Sequence, residues 1–171
     1  MEHIAEDFLH QVMEFEEAIF AQTPVEAHRY DDAYFADGWR EGDNRYELKT
    51  RRQVEARNPQ LIKEVFDPKR VLDVGCGPGF LMYFLHELGI DVQGVDFSPS
   101  SRDLAPAEMR ERIRIGDVAT SHFADRSFDL VICREVFEHL TVLQVRETVR
   151  CICAASSRSV YTTTRFHPKP A

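Results

Sequence analysis

Apolar residues along the chain follow two different spacings, and the change comes near residue 70. Before it, apolar positions recur at steps of three and four residues, which predicts an amphipathic helix over residues 3–20. After it, short apolar runs alternate with longer helical patterns. The short runs predict five strands, at residues 70–74, 90–95, 112–116, 128–133 and 159–164. Helical patterns separate the first strand from the second and the fourth from the fifth, and Thr141 with Gln144 forms a capping box that opens the latter helix.

Strands that alternate with helices are typical of a parallel sheet covered on both faces. The sequence therefore predicts an α/β fold: a Rossmann-like, doubly wound, mostly parallel sheet with five strands visible, preceded by an N-terminal helical extension. We place the extension at residues 1–58 and the Rossmann-like domain at residues 59–171. Aromatic residues from Tyr30 to Trp39 lie among acidic ones. This stretch is a candidate wall of an acceptor pocket or a packing loop, and helix 3–20 is a lid or a packing helix.

The negative charge of the chain belongs to the extension. Residues 1–50 hold 13 Asp or Glu against 4 Lys or Arg, and residues 51–171 hold 16 against 17, so the two parts carry −9 and +1 of the net charge of −8. The lack of a basic stripe argues against a nucleic-acid partner. No apolar run approaches the roughly 20 residues of a membrane helix, and the acidic N-terminus is unlike a signal peptide. Four cysteines without zinc-type spacing are typical of a reduced, cytoplasmic protein.

The first predicted strand runs into a glycine turn. Asp73 is followed by Gly75, Gly77 and Gly79 at two-residue steps. Glycine lacks a Cβ, so a ligand can approach this backbone closely. The dinucleotide fingerprint G-x-G-x-x-G fails here because its third glycine would be Phe80, and because the Asp73 carboxylate would repel a pyrophosphate while attracting an ammonium group. The string D-x-G-x-G-x-G resembles motif I of the class I S-adenosylmethionine-dependent methyltransferases.

The ends of the second and third predicted strands extend this resemblance. Asp96 matches motif II of the family, which implies that its carboxylate accepts hydrogen bonds from the ribose hydroxyls. The resemblance further implies that Phe97 lies against the adenine, with Ser98 next to it in the cofactor site. Asp117 would accept from the adenine amino group, and the backbone amide of Val118 would reach the ring. Each aspartate has an alternative role in capping a helix or a turn.

The cysteines divide into two pairs. Cys76 and Cys133 fall at the ends of the first and fourth strands, which are neighbours in this architecture, so both are candidate lining residues of the cofactor pocket. Neither has a base beside it in the sequence, which argues against a nucleophile. Cys151 and Cys153 lie two residues apart on the last predicted helix, and we expect both in the core.

The fourth strand leads into Glu135-x-x-Glu138-His139, and residues 128–140 resemble motif IV and the following segment of the small-molecule branch of the family. Three interpretations stay open. The cluster is a polar rim, or His139 is a general base that Glu138 or Glu135 orients, since an imidazole titrates near neutral pH. In the third, all three bind a divalent ion. That spacing is similar to the metal-binding segments of small-RNA 3′-terminal 2′-O-methyltransferases and of ubiquinone-pathway O-methyltransferases. The RNA enzymes add a distant second histidine, and in this sequence only His167, in a Pro-flanked segment, follows the cluster. We assign no metal from the sequence.

The resemblance covers roughly residues 68–164 and implies an enzyme that uses S-adenosyl-L-methionine to methylate a small-molecule acceptor, above all at oxygen. It makes His139 and Glu138 the candidate catalytic residues. The family fold normally continues past the fifth strand with a helix and an antiparallel hairpin, which this sequence does not show. We therefore expect a homodimer or a partner chain to cover that edge, unless the chain is shortened. One alternative is a cofactor-binding but catalytically incomplete partner or regulatory domain. Another is a metal-dependent enzyme similar to the RNA 2′-O-methyltransferases.

Overall fold

The structure, a computed structural model, describes residues 2–37, 47–55 and 57–164. The helices in these ranges are α1 (Glu2–Phe20), α2 (Asp32–Asp37), α3 (Leu48–Glu55), α4 (Asn58–Phe66), α5 (Phe80–Glu87), α6 (Pro99–Asp103), α7 (Ala107–Arg110) and α8 (Val142–Ala155). The strands are β1 (Arg70–Val74), β2 (Asp91–Asp96), β3 (Ile113–Ile115), β4 (Phe128–Arg134) and β5 (Ser156–Thr163). Short 3-10 turns cover Ala27–Arg29 and Phe137–His139.

All five strands run parallel in one sheet, in the order β3–β2–β1–β4–β5. β1 is central, with Val71 beside Val92 of β2 and Leu130 of β4. The chain crosses from β1 to β2 on one side and later returns to place β4 on the other side. This reversal confirms the predicted Rossmann-like, doubly wound fold, and it opens a crevice at the carboxyl ends of β1 and β4.

Alternate residues of the central strands pack on opposite faces of the sheet. Val71 and Leu130 face one side, where they join a core with α4, α5 and α7. Leu72 and Val131 face the other side and pack with Ile152 of α8. Each of these four strand residues is 0% exposed. Because both faces are covered, the central strands read in the sequence as continuous apolar runs.

From β1 onwards, two stretches differ from the predicted elements. The first four strands match their predicted ranges to within one residue. β5 begins at Ser156, three residues earlier than predicted, because hydroxyl groups support its polar start. The Ser156 Oγ donates to the Ser159 carbonyl at 2.9 Å, and the Ser157 Oγ donates to the Phe128 carbonyl at 3.0 Å. Between β2 and β3 the chain forms α6 and α7, which at five and four residues are too short to give a helical period.

α1 leaves much of its apolar surface uncovered. The predicted helix is present, but Phe15 and Phe20 are 66% and 72% exposed, and only Ile19 among the described apolar side chains of α1 is half-buried. The lid role and the packing role of the helix both stay predictions. Within the described residues, no helix has the length and apolar character that a membrane span requires.

The cysteines of α8 do not both lie in the core. Cys151 is half-buried and packs against the core beside the sheet, but Cys153 is exposed, so the expectation for Cys153 is wrong. Residues two apart on a helix point to different sides, and only one of the pair can face the sheet. All four cysteines have free thiols.

Candidate functional site

A cavity of about 800 Å³ opens at the carboxyl ends of β1 to β4. The strand ends form one wall, and residues of the extension form the opposite wall. Ligands of doubly wound sheets bind at this position, where the strand order reverses. The predicted site residues that line the cavity are Gly75, Gly77, Asp96, Phe97, Asp117, Val118 and His139. Trp39 and His167 lie outside the described residues.

The glycine turn after β1 forms a floor that is bare of side chains. Gly75, Gly77 and Gly79 have φ angles of +70°, +51° and +72°, in the left-handed region that favours glycine. A Cβ on Gly75 would lie 2.3 Å from Cγ2 of Val136. The Gly75 N–H donates to the Val95 carbonyl at 2.8 Å and so fixes the turn to β2. Gly75 and Gly77 line the cavity, so this part of its wall is backbone that a ligand can approach closely.

Asp96 is held in place by the backbone on both of its carboxylate oxygens. Oδ2 accepts from the Gly77 N–H at 2.8 Å, and Oδ1 accepts from the Ser98 N–H at 2.9 Å. Burial raises the pKa of Asp96, and these two hydrogen bonds counteract the rise. A carboxylate oxygen can accept more than one hydrogen bond, so the fixed group still has capacity for a ligand diol. This geometry fits the predicted ribose contact.

Asp73 lies behind the glycine turn and is not among the cavity-lining residues. Its side chain is 5% exposed, and burial raises the pKa of Asp73 to about 7. The Arg134 guanidinium opposes that rise, while the carboxylates of Glu55 and Asp96 add to it. An additional cation beside Asp73 would favour the ionised form, which is what the predicted ammonium contact requires.

A buried ionic network borders the same end of the cavity. Glu55 on α3 is 4% exposed and accepts hydrogen bonds from Arg51 at 2.9 Å, Asn58 at 3.2 Å and Arg134 at 3.1 Å. Burial favours the neutral acid, but Arg134, Asn58 and Arg51 outweigh it and hold the pKa of Glu55 below its usual value. The network fixes the extension to the end of β4. Sequence analysis missed it, because no local pattern links Glu55 to a partner 79 residues away.

Three residues that the sequence predicted to contact adenine, Phe97, Asp117 and Val118, line the cavity. Phe97 is 36% exposed, so much of its ring is available to a ligand. Asp117 lines the cavity, and its Oδ1 accepts from the Ala119 N–H at 2.8 Å. Asp117 therefore caps a turn, which is the alternative role that the sequence left open, and its Oδ2 takes no part in the hydrogen bond to Ala119. Val118 is buried beneath the same wall.

The residues of the Glu135-x-x-Glu138-His139 cluster have different surroundings. Glu135 has a left-handed φ of +54°, and its Oε1 accepts from the Thr163 hydroxyl at 2.9 Å. Glu138 is exposed, and its Oε2 accepts from the Thr164 hydroxyl at 2.9 Å. Both Glu135 and His139 line the cavity. In the described ranges, no three His, Cys, Asp or Glu side chains are placed to share a metal ion. Roles for His139 as a base and for Glu138 beside it stay predictions.

Some of the predicted cofactor residues lie behind the cavity wall. The Ser98 hydroxyl donates to the Tyr30 carbonyl. The Cys76 Sγ donates to the Gly77 carbonyl at 3.4 Å. Burial raises the pKa of Cys76 well above its ordinary value and that of Cys133 to about 12, so both are neutral thiols. Direct cofactor contacts of these residues, and of Asp73 and Gly79, stay predictions.

Tyr30 brings the extension onto the cavity. Its ring centroid lies 5.2 Å from that of Phe97 and 5.5 Å from that of His139, the latter at an interplanar angle of 89°. Burial raises the pKa of the Tyr30 phenol, and the Asp96 carboxylate adds to the rise. The part of the predicted aromatic wall that lines the cavity consists of Tyr30, Tyr34 and Phe35.

Comparison with known proteins agrees with the resemblance of the sequence to the class I S-adenosylmethionine-dependent methyltransferases. A family model described as a methyltransferase domain matches residues 72–155. The sequence-based recognition of this class is therefore confirmed.

Individual relatives show how much of this chain is similar to known proteins. A ubiquinone biosynthesis O-methyltransferase of Paraburkholderia phymatum is 38% identical over 78 residues, which cover 42% of this chain and 34% of the relative. The match thus spans about a third of the length of that relative. A Pyrococcus horikoshii protein of known crystal structure superimposes with a TM-score of 0.61 at 24% identity, covering 79% of this chain and 66% of the other. An S-adenosylmethionine-dependent methyltransferase of Archaeoglobus fulgidus gives 0.57 at 25% identity, covering 66% and 51%.

Proposed function

We propose that this protein transfers a methyl group from S-adenosylmethionine to a small-molecule acceptor, above all to an oxygen atom. The observation that carries the proposal is the convergence of the glycine turn and the backbone-held carboxylate of Asp96 on one cavity. The O-methyltransferase name of the Paraburkholderia relative supports oxygen as the accepting atom. The ionic network around Glu55 and the aromatic residues of the extension are the features that distinguish this cavity from a bare nucleotide crevice.

The cavity offers a place for each part of the cofactor. Asp73 and the turn from Gly75 to Gly79 would hold the amino-acid end, and Asp96 would accept hydrogen bonds from the ribose diol. Phe97, Asp117 and Val118 would enclose the adenine. When bound, the cofactor supplies a methyl group that its sulfonium has already activated. The protein therefore needs chiefly to align the acceptor and to exclude water.

The acceptor would lie between the cofactor and the wall of Tyr30, Tyr34 and Phe35. Aromatic rings bury a flat acceptor well, so a phenol or a catechol fits this wall. An imidazole nitrogen of His139, which lines the cavity, would take the proton of the acceptor hydroxyl. We also propose a reducing, cytoplasmic setting for the protein, which its four free thiols support.

A partner function has its own supporting observation. Within the described residues β5 pairs only with β4, so its other edge is open. We propose that a second copy or another chain covers this edge. A cofactor-binding but catalytically incomplete subunit would show the same edge, and turnover separates the two functions. The metal-dependent RNA 2′-O-methylation hypothesis gains no comparable support, since the described residues hold no shared metal site.

Titration of S-adenosylhomocysteine during thermal unfolding tests the cofactor site. At a hundredfold excess over its dissociation constant the ligand should stabilise the protein by about 2.7 kcal/mol, which raises the Tm by several degrees. Asp96→Ala should abolish the shift, whereas Asp103→Ala, an exposed aspartate on α6, should retain it. A wild-type protein with no shift contradicts the proposal.

Turnover is then measured as release of S-adenosylhomocysteine with catechol and substituted phenols. His139→Gln should retain ligand binding and lower turnover by about 10²–10⁴-fold, the usual contribution of a general base. His122→Gln, at an exposed histidine outside the cavity, is the control. Unchanged turnover in His139→Gln removes the base role. Ligand binding without turnover on any acceptor favours the partner function.

A further inference from the structure

Tyr30 joins parts of the cavity that are distant in the sequence. Its backbone carbonyl accepts the hydrogen bond of the Ser98 hydroxyl, 68 residues away. Ser98 is 1% exposed, and its own N–H donates to Asp96 at 2.9 Å. The extension is therefore anchored two residues after the carboxylate that would bind the ribose. This buried hydrogen bond therefore ties the Tyr30 segment to the end of β2.

The side chain of Tyr30 has a second contact, with His139. The two rings pack edge to face, with centroids 5.5 Å apart and an interplanar angle of 89°. His139 ends a short 3-10 turn, and its N–H donates to the Val136 carbonyl at 3.0 Å. The turn fixes the backbone of His139, and the Tyr30 ring limits the rotation of the imidazole. The ring of Phe97 also packs against Tyr30, with the two ring centroids 5.2 Å apart.

We propose that Tyr30 is a positioning residue that holds the His139 imidazole at the acceptor side of the cavity, and that Ser98 latches the Tyr30 segment beside Asp96. The proposal rests on the proposed function, in which His139 is the general base and Asp96 binds the ribose. A base must meet its proton within hydrogen-bond reach, and a misplacement of about 1 Å can lower a rate by about 10²-fold. The Tyr30 ring thus acts on the reaction through His139 and not by contact with the methyl group.

Nuclear magnetic resonance of the full chain tests the ring contact. Tyr30→Leu should change the chemical shifts of the His139 ring protons, because it removes a neighbouring aromatic ring. Tyr30→Phe retains the ring and should leave the shifts close to wild type. Tyr83→Leu, which removes a half-buried tyrosine of α5 outside the cavity, is the matched control. His139→Gln assigns the signals. Wild-type shifts in Tyr30→Leu overturn the positioning role.

Limited trypsin digestion tests the latch, because Arg29 is exposed and directly precedes Tyr30. Ser98→Ala should increase the rate of cleavage after Arg29, and Ser100→Ala, two residues away, should not. S-adenosylhomocysteine should slow cleavage of the wild type and have less effect on Ser98→Ala. Equal cleavage rates in Ser98→Ala and the wild type overturn the latch. If Ser98→Ala fails to fold, the ring measurements still decide the role of Tyr30.

Kinetics separate this inference from the proposed function. Tyr30→Leu retains the backbone carbonyl that Ser98 binds, so its affinity for S-adenosylhomocysteine should stay close to wild type. Its kcat should fall by about 10²-fold, and Tyr30→Phe should restore most of it. A wild-type chain that does not bind S-adenosylhomocysteine refutes the proposed function but leaves the shift and cleavage tests in force. Normal binding together with unchanged kcat in Tyr30→Leu refutes the inference alone.

Discussion

Gly75 combines a left-handed backbone with a close neighbour. Its φ is +70°, and an added Cβ would lie 2.3 Å from Cγ2 of Val136. A non-glycine residue at such a φ costs roughly 1–2 kcal/mol, and overpacking adds about 1–3 kcal/mol. Gly75→Ala should therefore destabilise the protein by about 2–5 kcal/mol, measured by urea denaturation, and should weaken S-adenosylhomocysteine binding.

Gly89 provides a matched control for the steric part of this prediction. Its φ is +81°, but a Cβ there would have no heavy atom within 4 Å. Gly89→Ala should therefore cost only the backbone part, about 1–2 kcal/mol. Val136→Ala in the Gly75→Ala background should restore part of the lost stability. Equal destabilisation by the two glycine substitutions would show that contact with Val136 does not matter.

Asp73 should make the stability of the free protein depend on pH. Burial raises its pKa from 3.8 to about 7, so between these values the folded chain holds a proton that the unfolded chain has released. This contribution to stability is complete below the unfolded pKa and is lost as the pH rises towards 7, by at most about 1.4 kcal/mol per pH unit. Asp73→Asn should remove this dependence. The difference in stability between the wild type and the variant should therefore change with pH when it is measured from pH 4.5 to 8, roughly the window in which this proton is released. A constant difference would contradict it.

The same proton gives ligand binding the opposite pH dependence. Asp73 must lose its proton before it can stabilise an ammonium group, so the affinity for S-adenosylhomocysteine should rise as the pH approaches 7 and level off above it. In Asp73→Asn the affinity should be weaker and nearly independent of pH. Calorimetric titrations of both proteins across this range measure the effect, and parallel pH curves would exclude Asp73 as the responsible group.

At the scale of the element, α8 depends on a capping box that the sequence shows directly. Thr141 Oγ1 accepts from the Gln144 N–H at 3.2 Å, and Gln144 Oε1 accepts from the Thr141 N–H at 3.0 Å. Thr141→Ala should cost about 1 kcal/mol and lower the Tm by roughly 2–4 °C, whereas Thr141→Ser should retain most of the stability. Differential scanning calorimetry checks this, and equal Tm values for the Ala and Ser variants would refute the role of the cap.

Elements with a continuous apolar pattern were predictable, and those held by polar contacts were not. β1 and β4 are buried on both faces, so their residues identify them as strands without further information. The first residues of β5 are serines and an arginine, and they become strand through hydroxyl bonds that only the folded sheet provides. α6 and α7 are too short for a helical period, so they were missed.

For the molecule as a whole, the sequence predicted the sheet side of the cavity better than the side formed by the extension. Asp96 and Asp117 end consecutive strands, and the carboxyl ends of parallel strands lie together. Glu55 and Tyr30 reach the cavity only because Arg134 and Ser98 bind them across long stretches of chain. Such contacts leave no local pattern, so the aromatic wall was open to two interpretations and the ionic network was not foreseen.

The open edge of β5 gives a prediction for the assembled molecule. β5 is eight residues long, and an exposed edge of that length can pair with another strand. We expect self-association that depends on concentration, measured by sedimentation equilibrium.

Thr162 is an exposed residue of β5, and a lysine at an edge position opposes strand pairing. Thr162→Lys should weaken association by about tenfold, equivalent to about 1.4 kcal/mol, while Thr120→Lys, at an exposed threonine outside the strands, should not. Unchanged association in Thr162→Lys would place the contact elsewhere, and a wild type that stays monomeric would refute self-association through β5.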